Sequence, residues 1–136
     1  MLDRLQLKHP IDEIQNVVQA DEIIHCQQVV RSIRVDDKLS RYIVELIHRT
    51  REHHDVLLGG SPRASLALYR GSQAFAAIRG HDFVMPDDIK RLAPAILCHR
   101  IILKPESRLR KVTSRAVVDE LLETVPVPTT GSRVMA

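Results

Sequence analysis

Residues 59–64 read Gly-Gly-Ser-Pro-Arg-Ala, a segment that ends one element and begins a long helix. We expect Ser61 to be the N-cap, because its hydroxyl can accept a hydrogen bond from a free backbone N–H of the first turn. Pro62 suits the next position, since its fixed φ matches the helix and its missing N–H is not needed there. The pattern predicts a helix that runs from Pro62 to Arg79 and ends at Gly80.

Arg63 lies in the first turn of this predicted helix, where the positive end of the helix dipole disfavours a cation that has no anionic partner. A helix N-terminus suits phosphate, and a guanidinium beside it can bind phosphate through two hydrogen bonds. One interpretation is therefore an arginine directed at a phosphate, with Gly60, Ser61 and Pro62 shaping the helix start. The other is a well-capped helix with a solvated arginine, which the spacing alone favours because capping signals mark most helices.

The core of this chain must be built mainly from aliphatic side chains. Of its 136 residues 44% are hydrophobic, but only 3% are aromatic and tryptophan is absent. Leu, Ile, Val and Ala suit close helix packing, so the composition favours a single domain made mainly of helices. Twenty basic residues are nearly matched by seventeen acidic ones, for a net charge of +3, whereas nucleic-acid-binding domains usually concentrate positive charge more strongly.

Apolar periodicity and helix-start signals predict a mainly α-helical bundle with one short two-stranded β pair. The predicted helices cover residues 20–32, 36–51, 62–79, 86–97 and 113–123. The predicted strands are 33–35 and 99–103, which we expect to pair, and 106–111 is predicted to be a charged loop. Helix 62–79 carries five alanines, so we expect it to run through the middle of the bundle, and Gly71 within it indicates close packing or a neighbouring ligand.

The two ends of the chain differ from its centre. Residues 1–19 are weakly patterned and broken at His9-Pro10, so we expect an incomplete segment or linker and a natural chain that extends upstream. Residues 20–125 form the predicted helical domain, and 126–136, rich in Pro, Thr and Gly, are predicted to be disordered. No signal peptide is recognisable and no apolar run approaches the ~20 residues of a membrane span, so we expect a cytoplasmic protein with no membrane partner.

The histidines and cysteines do not indicate a metal site or a thiol enzyme. The nearest groups are His48, His53 and His54, and the adjacent pairs His25-Cys26 and Cys98-His99. Zinc needs three or four converging ligands, so we expect no metal and place His53 and His54 in an exposed loop after a helix. Cys26 and Cys98 have neither CxxC spacing nor a recognisable base, and we expect both thiols to be buried and inert in a reducing compartment.

Four segments together resemble the C-terminal lid domain of MoxR-type AAA+ ATPases. They are Gly-Gly-Ser-Pro-Arg-Ala at 59–64, Arg-Gly-His-Asp-Phe-Val-Met-Pro-Asp-Asp-Ile at 79–89, Leu-Ala-Pro-Ala-Ile-Leu-Cys-His-Arg at 92–100 and Val-Pro-Val-Pro at 125–128. The resemblance covers residues 9–128 and implies a helical bundle of the AAA+ lid type. The family usually has Ala at the position of Gly60 and often Thr at that of Met85. Because Met85 has no side-chain oxygen, we expect its helix to begin more loosely.

By this resemblance, Arg63 is the sensor 2 arginine, which would contact the terminal phosphates of ATP bound to its own or a neighbouring subunit. The resemblance also implies ATP with Mg²⁺ as cofactors of the full-length protein, and coupling of nucleotide state to lid position. The implied partners are an α/β AAA+ core, neighbouring subunits of a ring oligomer and von Willebrand factor A-domain proteins. The implied role is chaperone-like remodelling or maturation of partner proteins.

This chain lacks the parts that hydrolyse ATP. Its five glycines, at 59, 60, 71, 80 and 131, do not have the spacing of a GxxxxGK[ST] phosphate loop. No apolar strand ends in Asp-Glu to hold Mg²⁺ and position water. We therefore expect no catalytic residue in this chain and no cofactor for the isolated domain, with an ATPase as the parent protein.

A small basic helical DNA-binding module is the alternative interpretation. Arginines are plentiful, but they are interspersed with acids, no helix–turn–helix turn is evident, and no aromatic residues are placed to stack on bases. We therefore expect no nucleic-acid partner. A protein-interaction module is a third class, which overlaps the lid interpretation and would be marked by an exposed apolar patch.

Overall fold

The computed structural model describes residues 14–128, which form six helices and two short strands. In chain order the elements are α1 Ala20–Ser32, α2 Asp37–Glu52, β1 Val56–Leu58, α3 Pro62–Ile78, α4 Pro86–Leu97, β2 Ile102–Leu103, α5 Pro105–Leu109 and α6 Ser114–Thr124. The predicted mainly α-helical bundle with one two-stranded pair is confirmed. Within this part of the chain, no helix has the length and apolar character required to span a bilayer.

The central helix is α3, which packs against α1, α2 and α4. Ala64, Leu68 and Ala76 on α3 are completely buried, as expected for a helix in the middle of a bundle. At Gly71 an added Cβ would lie 3.1 Å from Ile96 Cδ1 of α4. Close packing of α4 therefore accounts for this glycine, and α3 ends as predicted, with Gly80 in the left-handed region at φ 76°.

Helix α2 presents the apolar stripe that its periodicity predicts. Its N-cap is Asp36, whose Oδ1 accepts a hydrogen bond from the backbone N of Lys38 at 2.7 Å. The buried residues of α2 are Leu39, Tyr42, Ile43, Leu46, Ile47 and Thr50. All but one of them are apolar or aromatic, and the exception, Thr50, becomes important at the candidate site.

The two-stranded sheet joins different segments from those predicted. β1 pairs with β2 in antiparallel orientation, with Val56 opposite Leu103 and Leu58 opposite Ile102. Only the last part of the predicted strand 99–103 is a strand, and its partner is not residues 33–35. The predicted pairing of 33–35 with 99–103 is therefore wrong. Alternation in the sequence indicates that a segment is extended, but it does not specify which distant segment pairs with it.

Residues 33–35 are instead bound to the segment before α4. Arg34 forms an isolated parallel bridge with Phe83, and its carbonyl accepts a hydrogen bond from Val84 N at 2.9 Å. The buried amide of Gln73 on α3 donates through Nε2 to the carbonyl of Ile33 at 2.6 Å. These bonds satisfy the backbone of 33–34 and leave it unavailable to β2.

The start of α4 is held by an acid that the sequence analysis did not single out. Asp88 is completely buried, and its Oδ2 accepts a hydrogen bond from Met85 N at 2.8 Å. Its Oδ1 accepts from Arg79 Nη1 at 2.9 Å. The expected looser start at Met85 is wrong, because Asp88 supplies the reciprocal bond of a capping box from inside the helix. Pro94 lies within α4, which continues past it as predicted.

Two further local predictions need correction. The segment predicted as a charged loop contains the short helix α5, which begins at Pro105 and buries Ser107. Cys26 is exposed, because α1 buries none of its residues among those described, whereas Cys98 is partly exposed. The sequence predicts Thr113 or Ser114 as the cap of α6, and the N-cap is Thr113, whose Oγ1 accepts a hydrogen bond from Ala116 N at 3.1 Å.

The predicted end segments fall mostly outside the described residues. Residues 1–13 of the predicted linker and residues 129–136 of the predicted disordered tail are not described. Residues 14–19 precede α1 without helix or strand. At the other end, Val127 is partly buried and packs against the core cluster.

Candidate functional site

The Gly-Gly turn lies directly against the last turn of α2. A Cβ added at Gly59 would lie 2.6 Å from Arg51 Cγ and 2.7 Å from the Arg51 backbone, so no larger residue fits without movement of the chain. At Gly60 the added Cβ would lie 3.1 Å from Ile47 Cγ2, which requires a shift of only a few tenths of an ångström. The family-typical alanine at position 60 is therefore a small change, whereas Gly59 is required by this close approach.

Both polar groups of Gly60 are bound by α2. The backbone N of Gly60 donates to Thr50 Oγ1 at 2.8 Å, and the carbonyl of Gly60 accepts from Arg51 Nε at 2.8 Å. The Thr50 hydroxyl in turn donates to the carbonyl of Ile47 at 2.6 Å. Gly60 and Thr50 are buried, so these bonds replace water at the turn that precedes α3.

Ser61 occupies the N-cap position of α3 but does not cap it with its side chain. Its backbone is extended, at φ −83° and ψ 168°, and its hydroxyl makes no cap hydrogen bond. The backbone N of Ala64 instead donates to the Ser61 carbonyl at 2.8 Å. The hydroxyl cap predicted for Ser61 is wrong, whereas Pro62 takes the first helical position as predicted. The turn is held by α2 rather than by its own serine.

Arg63 is exposed in the first turn of α3. No acidic residue lies in that turn, and among residues 14–128 Arg63 forms no salt bridge. Other arginines in this part of the chain do pair with carboxylates, namely Arg49, Arg79, Arg110 and Arg115. Arg63 thus leaves a cation unpaired within the described residues, at the positive end of a helix dipole.

An apolar groove lies beside this helix start. Its lining residues are Val44, Ile47, His48, Arg51, Pro62, Ser65 and Leu66. Val44 on α2 is 60% exposed and Leu66 on α3 is 65% exposed, and both residues of β1 that follow Val56 are also exposed. The surface around Arg63 therefore combines a free guanidinium with exposed aliphatic side chains, a mixture typical of a contact surface.

A second polar cluster connects β1 to α5. Asp55 is buried, and its Oδ1 accepts hydrogen bonds from Ser107 Oγ at 2.7 Å and from Arg110 Nη2. The Ser107 hydrogen bond lowers the pKa of Asp55 below its ordinary value, and the nearby charges of His54 and Arg110 act in the same direction while burial opposes them. The carbonyl of Asp55 also accepts from Lys104 N at 2.9 Å. These contacts assign Asp55 a structural role.

His53, His54 and Asp55 place one potential metal-ligand atom each within 4.8 Å of one another. His53 Nδ1 accepts the backbone N–H of Asp55 at 3.2 Å, and His53 Nε2 lies 3.4 Å from Glu120 Oε2. His53 Nε2 is buried and has no hydrogen-bond partner among the described residues. The His53 side chain is only 5% exposed, so the predicted exposed loop is wrong for His53, although it is right for His54 at 71%.

Comparisons with known proteins agree with the fold and the motifs. The AAA lid domain family model matches residues 48–121, which include the Gly-Gly turn and Arg63. The uncharacterized protein YeaC of Bacillus subtilis is 41% identical over 98% of this chain, and Chaperone MoxR1 of Mycobacterium tuberculosis is 26% identical over 85% of it. A solved structure of a candidate ATPase from Cytophaga hutchinsonii superposes with a TM-score of 0.81, at 26% identity over 93% of this chain.

These relatives are much longer than the chain. It spans 42% of YeaC, 33% of MoxR1 and 40% of the Cytophaga hutchinsonii chain. The family model covers more than half of the present sequence, and the helical architecture agrees with that of the solved relative. The chain therefore belongs to the AAA lid domain family. It is a lid of the MoxR type, which is the type that its four sequence segments resemble.

Proposed function

We propose that this lid senses ATP through Arg63, as the sensor 2 arginine of a MoxR-like AAA+ ATPase. The observation that carries the proposal is an exposed guanidinium in the first turn of α3, with no acidic residue in that turn and no salt bridge among residues 14–128. A helix N-terminus and an arginine both favour an anion, and a terminal phosphate of ATP provides one. The nucleotide would be held by an α/β core outside these 136 residues.

In this proposal the lid supplies one cation and the core supplies the remaining chemistry. Phosphoryl transfer requires a phosphate cradle, a metal and an oriented nucleophile, and Mg²⁺ bound with ATP in the core would neutralise part of the developing charge. Arg63 would hold the terminal phosphate and stabilise charge on its oxygens as the bond to the leaving group weakens. Removing such an arginine costs roughly 10³-fold or more in rate in related phosphoryl-transfer systems, so a lid can control turnover without being an enzyme.

The packing of α3 offers a route from the phosphate to the rest of the lid. Because α3 contacts α1, α2 and α4, a force on Arg63 acts on the whole bundle rather than on one loop. ATP would therefore favour one lid position and its hydrolysis products another, to the extent that Arg63 binds them differently. Chaperone-like remodelling in a cytoplasmic ring, with von Willebrand factor A-domain partners, completes the proposal. The similarity to Chaperone MoxR1 supports the chaperone part.

The test is ATP turnover by the full-length ATPase that carries this lid. We expect Arg63→Ala to lower kcat by roughly 10³-fold, and Arg63→Lys to recover only part of it, because an ammonium cannot make the bidentate contact. Arg41→Ala is the matched control, since Arg41 is also an exposed helical arginine without a salt bridge among residues 14–128. Equal turnover in the Arg63→Ala and Arg41→Ala proteins would refute the proposed role.

A further inference from the structure

We infer that Thr50 and Arg51, at the end of α2, are positioning residues that hold Arg63 in the orientation needed to meet a phosphate. The inference rests on the proposed function of Arg63, but it concerns two residues that bind the backbone before Arg63. Thr50 and Arg51 act on the peptide unit of Gly60, three residues before the arginine. They were not among the site residues predicted from the sequence.

The hydrogen bonds at Gly60 restrain both ends of that residue. Thr50 Oγ1 accepts the Gly60 N–H at 2.8 Å, and Arg51 Nε donates to the Gly60 carbonyl at 2.8 Å. Thr50 is completely buried and its hydroxyl proton is engaged by the carbonyl of Ile47 at 2.6 Å, so its oxygen has a set orientation toward Gly60. The turn is therefore attached to α2 by two independent donor–acceptor pairs.

Little freedom remains between Gly60 and Arg63. Ser61 is extended, and its carbonyl accepts the first bond of α3 from Ala64 N at 2.8 Å. Pro62 has a φ angle fixed by its ring. Because the Ser61 side chain makes no cap hydrogen bond, the contacts from α2 carry the task that an N-cap serine usually performs. A change at Thr50 or Arg51 is thus expected to tilt the first turn of α3 and displace the Arg63 guanidinium.

Arg51 also excludes a larger residue from the turn. The stem of Arg51 fills the space that a side chain at Gly59 would need, with Arg51 Cγ 2.6 Å from the position of an added Cβ. The same side chain therefore shapes the turn by contact and binds it through Nε. Arg51→Met keeps the stem and removes the donor, so it separates these two contributions.

The experiment measures ATP turnover of the full-length ATPase with Thr50→Val, Thr50→Ser, Arg51→Met and Gln73→Leu. Gln73→Leu is the matched structural control, because it removes a buried hydrogen bond from α3 to Ile33 about 15 Å along the helix from Arg63. We expect Thr50→Val to lower kcat about tenfold or more, as misplacement of a charge-stabilising group by a fraction of an ångström can do. Thr50→Ser restores the hydroxyl and should restore kcat.

A double variant shows whether Thr50 acts through Arg63. When Arg63 is already alanine, adding Thr50→Val should change kcat by less than about twofold, whereas two independent sites would show the same roughly tenfold loss again. If Thr50→Val does not yield folded protein, Arg51→Met can be compared in the same way, with Arg63 present and with Arg63 replaced by alanine. Arg51 is exposed, so this variant is expected to fold. Circular dichroism on every variant separates loss of fold from loss of rate.

The outcomes distinguish the two proposals. If Arg63→Ala leaves kcat unchanged, the proposed function fails, whatever Thr50→Val does. If Arg63→Ala lowers kcat but Thr50→Val and Arg51→Met leave it as high as Gln73→Leu does, Arg63 acts without this positioning and the inference is overturned. It is also overturned if Thr50→Val lowers kcat equally with Arg63 present or absent, because its effect is then a general loss of structure.

Discussion

Two helices of this lid begin with the same element, a proline at the first helical position, but they are stabilised in different ways. At α4, Asp87 and Asp88 lie in the first turn, and the buried carboxylate of Asp88 binds both Met85 N and Arg79. At α3, the first turn contains no acid, Ser61 makes no side-chain cap, and Arg63 is exposed. Negative charge stabilises a helix N-terminus, so α4 is electrostatically complete and α3 lacks its anion.

This difference separates a helix start stabilised within the chain from the one that we propose binds a phosphate. Asp88 satisfies the start of α4 from within the chain, at a position that no ligand can reach because it is fully buried. The turn before α3 is held by hydrogen bonds from Thr50 and Arg51, yet Arg63 has no salt-bridge partner among residues 14–128. A helix start held by protein contacts, with an exposed arginine in its first turn, suits the proposed phosphate sensor.

The largest effect on stability is expected from Asp88→Ala. It leaves Met85 N without its acceptor and removes the partner of Arg79, so we expect unfolding free energy to fall by about 2–3 kcal/mol. Arg63→Ala at the other helix start should change it by less than about 0.5 kcal/mol, as surface substitutions usually do. Urea denaturation of the 136-residue chain measures both values. Equal losses at the two sites would remove the contrast between them.

A smaller effect is expected at the glycines before α3. Gly59→Ala places a Cβ against the Arg51 backbone, so we expect about 1–3 kcal/mol of destabilisation, as overpacking typically costs. Gly60→Ala places its Cβ 3.1 Å from Ile47 Cγ2, a less severe contact than at Gly59, so it should cost less than Gly59→Ala. The same denaturation experiment ranks the two variants, and the reverse order would show that the turn is not packed as described.

Lowering the pH should weaken the contact between Asp55 and Ser107, because that contact depends on the ionised carboxylate of Asp55. Hydrogen bonding to Ser107 lowers the pKa of Asp55 in the folded chain below its unfolded value, which is about 3.9. The resulting stability is fully present above the unfolded pKa and is lost as pH falls through the folded pKa. We therefore expect Asp55→Asn to flatten the loss of stability below about pH 4. A denaturation midpoint with the same pH dependence in both proteins would contradict this assignment.

Sequence patterns predicted those parts of the fold that depend on neighbours along the chain. The bounds of α1 and the caps of α2 and α6 follow from local periodicity and capping chemistry. The pairing of β1 with β2 depends on residues more than forty positions apart, which no local pattern specifies. The role of Asp55 was missed for the same reason, because its partner Ser107 is 52 residues away. Asp88 lies in a helix-start pattern, but its pairing with Arg79 of the preceding segment could not be read from that pattern.

The candidate site was predictable in part. Arg63 and Pro62 could be singled out from helix-start chemistry, whereas the anchoring of Gly60 could not, since it joins two helices. One signal did exist: Thr50 continues the apolar stripe of Ile43 and Ile47 at helical spacing. A polar residue on a buried face needs a hydrogen-bond partner, so Thr50 could have been marked as a residue that binds a neighbouring segment.

The most direct test of the central claim is nucleotide discrimination by the full-length ATPase, measured as the affinities for a non-hydrolysable ATP analogue and for ADP. If Arg63 contacts the terminal phosphate, Arg63→Ala should weaken binding of the analogue about tenfold, equivalent to one charge-assisted contact, and leave ADP affinity within about twofold. The Arg41→Ala control should match the unaltered protein for both nucleotides. Equal affinities of the Arg63→Ala and unaltered proteins for the ATP analogue would contradict the account.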